Sequence, residues 1–281
     1  MTRPKLRLLE QGWSRGRRYR WLLLALLGLM LIWATRRVAE VIWQPDETWA
    51  RMQRSGALRV GMDASYPPFE WLDEEGRFQG LDVDLARALA ERWGVEVQFS
   101  NVHFDGLYDA LKSDKFDLII SALPHDPMMT RDMLYSYSYF NAGLVILVRA
   151  DERATASVED LAARRVAVEL GAEAHQYARQ LNRDRGMALE ILPLRETAEA
   201  IAALREGRVD AMLCDRVTAY SYTQDGALRQ LDVLLTDEPF VIAARLDAPT
   251  MIQEVNAALV AWSEDGTLER LQRRWLHPAS P

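Results

Sequence analysis

The sequence predicts an α/β protein of two similar lobes preceded by a membrane-directed segment. Three observations carry that expectation. Strand and helix patterns alternate from about residue 57 onward, the alternation occurs twice with matching entry motifs, and an arginine-flanked apolar run comes before both. In the first series a linker helix over 46–55 ends at Gly56 and leads into a strand at 58–63. A helix over 81–93 follows, with Leu81, Leu85, Leu89 and Trp93 at helical spacing, then a strand at 95–100, a helix at 105–113 and a strand at 117–123. The second series has strands at 165–170, 189–192 and 210–215, with helices near 173–183 and 196–206 between them. Such alternation implies parallel sheets. Lys115-Phe-Asp-Leu-Ile-Ile120 and Arg208-Val-Asp-Ala-Met-Leu213 each follow a helix and enter a buried strand through an aspartate. Two such lobes bring their strand C-termini, where open α/β sheets bind ligands, to face one another across a cleft.

Composition supports a packed body and excludes several chemistries. Of 281 residues, 49% are apolar and 27% charged, which rules out disorder, collagen and coiled coil as the main architecture. The single cysteine, Cys214, allows no intramolecular disulfide, Cys-rich zinc site or iron–sulfur cluster. His103, His125, His175 and His277 form no ligand-spaced cluster, so neither metal nor cofactor is expected. Residues 1–37 hold nine basic groups and one acid, leaving the remainder 25 basic and 40 acidic groups and a net charge of -15. A body this acidic is not a nucleic-acid binder.

The basic start belongs with the run Trp21-Leu-Leu-Leu-Ala-Leu-Leu-Gly-Leu-Met-Leu-Ile-Trp-Ala34. Arg20 and Arg36 stand 15 residues apart, about 22 Å of helix against a hydrocarbon core of roughly 30 Å. Length alone suits a secretory signal. Arg36 and Arg37, however, occupy the place of a small-residue cleavage site, while Trp21 and Trp33 lie where interfacial rings belong. The reading is an uncleaved membrane anchor, with a cleaved signal as the alternative. Seven basic residues before the run and two after it orient the N-terminus to the cytoplasm and the body outside.

Leu58-Arg-Val-Gly-Met-Asp-Ala-Ser-Tyr-Pro-Pro-Phe-Glu70, Gly80-Leu-Asp-Val-Asp-Leu-Ala86, Phe116-Asp-Leu-Ile-Ile-Ser121, Arg131 and Gly207-Arg-Val-Asp-Ala211 occur in this order. So does Asn256-Ala-Ala-Leu-Val-Ala-Trp-Ser-Glu-Asp-Gly-Thr-Leu268 with Trp275 beyond it. Together they resemble the periplasmic solute-binding proteins for polar amino acids, the binding subunits of ABC importers. The resemblance implies a two-lobed type II periplasmic-binding-protein fold behind an N-terminal transmembrane anchor helix. Its expected divisions are a cytoplasmic tail at 1–20, an anchor or signal segment at 21–37 and a linker helix at 38–56. Lobe 1 would be built from 57–146 and 242–281 and lobe 2 from 147–241, with hinge crossings near 144–149 and 239–245.

A free amino acid presents a carboxylate and an ammonium, so its receptor needs a bidentate cation and an anion close together. The resemblance implies Arg131 for the carboxylate and Asp215 for the ammonium. The alternatives are a helix-start arginine paired with Asp126 or Asp132, and an Asp215 N-cap for the segment that follows. Asp63 and Tyr66 have the spacing by which this family sets a carboxylate at the ligand side chain and a ring over it, although an aspartate beside Pro67-Pro68 also suits a turn. Phe104 is similar to the opposite apolar wall, with a core aromatic ahead of a helix as the alternative, and Ser121 closes the lobe 1 strand as a hydroxyl contact. Asp82 is expected to cap the helix at 81–93, with Asp84 on its dipole.

Ala122 and Pro124 replace hydroxyl donors common in the family, and Glu173 follows Gly171-Ala where a Ser or Thr usually stands; a glutamate there repels an anion or attracts a cation, with a solvent-facing residue at a helix start as the alternative. The implied function is extracytoplasmic capture of a small polar or basic amino acid for an ABC transporter permease. A cyclohexadienyl dehydratase built on the same fold, with Glu173 or Asp63 as general acid, and a ligand-sensing receptor domain are the alternatives.

Overall fold

The computed structural model describes residues 26–30, 33 and 46–276. The chain separates into two units, residues 1–45 and 46–281. Of the first unit, residues 26–30 and 33 are helical and exposed. The anchor expected at 21–37 otherwise lies outside the described residues, among which no helix is long and apolar enough to cross a membrane.

The second unit opens with helix α1 (Glu47–Ser55), begun by Asp46, whose Oδ1 accepts from Trp49 N–H at 2.9 Å, and ended by Gly56 in the left-handed region. The other Asp46 oxygen accepts from Met251 N–H at 3.0 Å and ties this helix to a C-terminal one. Strand β1 (Ala57–Met62) leads into a small antiparallel sheet of β2 (Ser65–Tyr66), β3 (Glu70–Leu72) and β4 (Phe78–Gln79). Helix α2 (Leu81–Trp93) then buries Leu81, Val83, Leu85 and Leu89. Each such side chain removed from water contributes about 1.5–3 kcal/mol. Gly80 is required at its start: φ is 126°, and a Cβ there would lie 2.0 Å from the Phe69 carbonyl oxygen.

Strand β5 (Glu96–Asn101), helix α3 (Leu107–Lys112) and strands β6 (Leu118–Ile119) and β7 (Met133–Tyr135) follow. Next come β8 (Phe140–Asn141), β9 (Leu144–Arg149), β10 (Arg165–Glu169), α4 (Glu173–Arg185), β11 (Glu190–Leu194), α5 (Thr197–Arg205) and β12 (Ala211–Asp215). The chain finishes with α6 (Arg216–Thr223), β13 (Leu228–Leu234), β14 (Pro239–Phe240), β15 (Ala243–Arg245), α7 (Pro249–Glu264) and α8 (Thr267–Leu276).

Two five-stranded sheets result, ordered β5-β1-β6-β15-β7 and β11-β10-β12-β9-β13. They have one topology. In each, three parallel strands come from local βαβ units, and the fourth is an antiparallel strand delivered from beyond the crossing. The sheets are therefore mixed rather than purely parallel, because β9 and β15 enter in the opposite sense. Leu144–Arg149 is a buried strand of the second sheet, flanked by β12 and β13. The crossing lies just before it, where β8 pairs with β14 in a two-stranded antiparallel ladder. Phe69 packs edge-to-face on Phe140 and Phe240 of this ladder, with ring centroids 5.1 and 5.3 Å apart.

Candidate functional site

Two adjoining cavities of about 320 and 300 Å³ lie beside the β8–β14 ladder and share Tyr66, Glu238 and Phe240. The first is walled by Asp63, Ser65, Glu70, Phe104, Ser121, Ala122 and Pro124. Asp63 leaves the C-terminal end of β1. Its Oδ1 accepts from the Ser65 hydroxyl at 2.7 Å and its Oδ2 from Phe104 N–H at 2.8 Å, while its own N–H donates to Ser121 Oγ at 2.9 Å. Two donors hold the carboxylate in one orientation and leave lone pairs for a cation. Tyr66 stacks on Phe69 at 5.8 Å. Burial, together with Asp215, Glu70 and Glu238, pushes its hydroxyl up to about 12.

Beneath this cavity lies a carboxyl pair that sequence reasoning missed. Glu70 Oε1 accepts from Ser121 Oγ at 2.9 Å, and Asp82 Oδ2 accepts from Ala122 N–H at 2.5 Å and from Tyr139 Oη at 2.8 Å. The remaining oxygens, Glu70 Oε2 and Asp82 Oδ1, are buried without a hydrogen-bond partner. One proton shared between the two carboxyls satisfies both. Burial first, and then each other's charge, push the Glu70 carboxyl upward; burial does the same for Asp82. Asp82 is thus not the expected helix cap. Gly80 occupies that position, two residues earlier, and Asp82 points inward to fix the backbone after β6, where Ala122 has φ 39°.

The second cavity is walled by Glu169, Ala172, Glu173, Thr197, Cys214, Asp215 and Thr218, among others. Asp215 ends β12 and caps α6: its Oδ1 accepts from Thr218 N–H at 2.7 Å and its Oδ2 from Thr218 Oγ1 at 2.6 Å. It caps a helix and faces the cavity at once. Glu173 begins α4, which has no side-chain cap, and Glu169 accepts from the Thr197 hydroxyl. Glu238, immediately before β14, was also missed; burial and the charges of Glu173 and Asp215 raise its pKa. Cys214 is buried, and desolvation followed by Asp215 pushes its thiol far up.

Of the sequence candidates, Asp63, Tyr66, Phe104 and Ser121 meet in the first cavity, and Tyr66, Glu173 and Asp215 in the second. Arg131 does not join them. It is exposed at the end of the short turn Met129–Arg131 and is absent from both linings. Asp132, one of its expected alternative partners, pairs with Lys112 at 2.9 Å, and Asp126 accepts from Met128 N–H. Among the residues lining the two cavities, six are acidic and none is Lys, Arg or His. The arrangement is an acid-walled, aromatic-bridged cleft at the base of two lobes.

A two-lobed α/β body with a polar cleft beside its crossing strands is the architecture of a solute receptor. The chain belongs to the bacterial extracellular solute-binding proteins, family 3, whose model matches residues 58–278. It is 26% identical over 258 residues to the L-cystine-binding protein TcyJ of Escherichia coli (strain K12), a match covering 89% of this chain and 94% of that one. A solved ancestral cationic amino acid solute-binding protein is 34% identical, with 82% of this chain and 99% of that chain covered and a TM-score of 0.64. A solved ancestral cyclohexadienyl dehydratase is 28% identical, with coverage of 80% and 95% and a TM-score of 0.70. The fold is the type II periplasmic-binding-protein fold expected above.

Proposed function

We propose that this chain captures a polar or basic amino acid outside the cytoplasm by closing its two lobes, and presents it to the permease of an ABC importer. The observation that carries this reading is the acid-walled cleft, in which Asp63, Glu173, Asp215 and Glu238 surround Tyr66 and Phe240. Relatives that bind cystine and cationic amino acids support the same class of cargo. Asp63 and Glu173 select cationic or hydrogen-bond-donating side chains, and acidic amino acids are rejected by like charge. The arginine-flanked run at 21–37 is the proposed tether holding the body beside its permease, which raises the effective concentration of the two partners.

The dehydratase reading has one structural observation in its favour, a buried Glu70 carboxyl at the wall of the first cavity, whose pKa is raised by burial and by Asp82. Prephenate carries two carboxylates and would enter a cleft lined by six acids and no base, so capture of a cation is the better supported function. Thermal unfolding of the full-length chain in detergent with arginine, lysine, glutamine, cystine, glutamate and prephenate tests both. A ligand at about 100 times its dissociation constant adds about 2.7 kcal/mol and raises the midpoint by several degrees. A shift with arginine or lysine and none with glutamate is expected. A shift with prephenate, accompanied by turnover, would replace this function with the enzymatic one.

A further inference from the structure

A third cavity, of about 190 Å³, lies against α6 and outside the cleft. Thr218 of that helix lines the second cavity, whereas Arg216 and Tyr220, four residues apart and so on one face, line the third. Two guanidinium groups meet in it from different sheets. Arg216 directly follows β12 of the second sheet, and Arg273 belongs to α8, which packs on α2 and α7 in the core of the first. Arg273 has a carboxylate of its own, Glu269 at 3.3 Å, in a pair whose side chains are 58% and 67% exposed. Arg216 has none. It is half-buried, its guanidinium carbon stands 5.2 Å from the Phe140 ring centroid, and its guanidinium has no carboxylate or carbonyl acceptor among the described residues. The amide of Gln230, also in this wall, has no hydrogen-bond partner among them either.

We propose that this crevice binds a small tetrahedral oxyanion, a phosphate or sulfate, between the Arg216 and Arg273 guanidinium groups and apart from the cargo cleft. The site stands independently of the solute-capture function above. Stacking on Phe140 occupies one face of the Arg216 guanidinium and leaves its in-plane N–H fork for an acceptor. Glu269 balances one guanidinium at most, so the lining keeps a net positive charge within a body that carries -15. A carboxylate has two oxygens and fills one such fork. A tetrahedral oxyanion has oxygens for two forks that come from different elements, and its remaining lone pairs can accept from the Gln230 amide. Bound there, it ties the start of α6 to the last turns of α8 and adds an ionic link to the hydrogen bond that the Tyr220 hydroxyl already donates to the Trp275 carbonyl.

Calorimetric titration of the full-length chain with inorganic phosphate and with sulfate, at constant ionic strength so that screening stays fixed, tests the proposal. Saturable binding of one anion per chain is expected. Arg216→Gln and Arg273→Gln should each weaken it about tenfold or more, the loss of a charge-assisted contact, with the circular dichroism of the chain unchanged. Arg131→Gln should leave it as it is. Phosphate binding that is lost in Arg131→Gln and kept in Arg216→Gln would put the anion in another place and overturn the proposal, as would heats that fail to saturate with either anion. If phosphate binds as expected and no amino acid does, the oxyanion site stands and solute capture falls.

Discussion

Each sheet carries one ion-pair motif at the same place, and the two copies live in different surroundings. In the first sheet Asp117, entering β6, accepts from Arg59 N–H of β1 at 3.0 Å and pairs with the Arg59 guanidinium at 2.8 Å. In the second, Asp210, entering β12, accepts from Arg165 N–H of β10 at 3.0 Å and pairs with its guanidinium at 3.0 Å. The first copy is enclosed. Asp117 is 1% exposed and also binds Arg51 of α1, while Arg59 and Arg245 converge on Asp114 at 2.8 and 2.7 Å. The second remains open, with the Arg165 side chain 44% exposed. The difference follows from chain path. The first sheet is visited by helix α1, by the first βαβ series and again by the returning segment, so three remote elements close over its motif. The second sheet is completed within one continuous excursion and leaves its copy at the rim.

The largest expected effect sharpens this contrast. Asp117→Ala removes a buried carboxylate that accepts from Arg59 N–H and from two half-buried guanidinium groups, both of which keep Asp114, and should cost about 1–3 kcal/mol, whereas Asp210→Ala breaks a more exposed pair and should cost less than about 1 kcal/mol. Urea unfolding of the two variants checks it, and equal losses would mean that enclosure does not set the worth of the motif.

A second asymmetry concerns protons. Only the first lobe holds the Glu70–Asp82 pair, and its raised folded-state pKa means that the folded protein keeps a proton the unfolded chain releases above the ordinary carboxylate range near pH 4. Stability from this pair is therefore fully present at low pH and declines as pH rises toward neutrality, by at most about 1.4 kcal/mol per pH unit for one proton. Glu70→Gln, which is neutral in both states and still donates to Asp82, should flatten that slope between pH 5 and 8. A variant with the wild-type slope would show that Glu70 does not carry the proton.

The smallest effects separate the two cavity carboxylates. Asp63→Asn should lower affinity for a basic ligand about tenfold, the loss of one charge-assisted bond, with little change in stability. Asp215→Ala should lower affinity similarly and also cost about 1 kcal/mol of stability, because α6 loses its cap. Titration paired with thermal unfolding distinguishes them; a destabilised Asp63→Asn or an undisturbed Asp215→Ala would erase the distinction.

Local chemistry was legible in the sequence, and long-range closure was not. Helices α1 and α2 declared themselves through their capping glycines and apolar spacing, and Asp63, Tyr66 and Asp215 through their place at strand ends. The two-residue strands β8 and β14 are too short for a periodicity, and β9, apolar and buried along nearly its whole length, reads alike in either direction. Glu70 stood in plain view beside Tyr66 and Phe69, yet nothing local tells that Asp82 faces it. Glu238 escaped for the same reason: it joins Tyr66 and Asp215 only after the chain has crossed twice. Arg131 stands in the turn Met129–Arg131, outside the linings of the two cavities, so its pattern in the sequence and its place in the ligand-free chain carry different information.

The seclusion of Cys214 gives the molecule a built-in gauge. The lone thiol lies in the wall of the second cavity, and burial beside Asp215 holds it in the unreactive protonated form. Alkylation of the native chain then requires that this wall be laid open first, so its rate counts how often the second lobe is uncovered. Cargo seated against Asp215 should slow that clock, and a thiol reagent can follow occupancy with no label added to the protein.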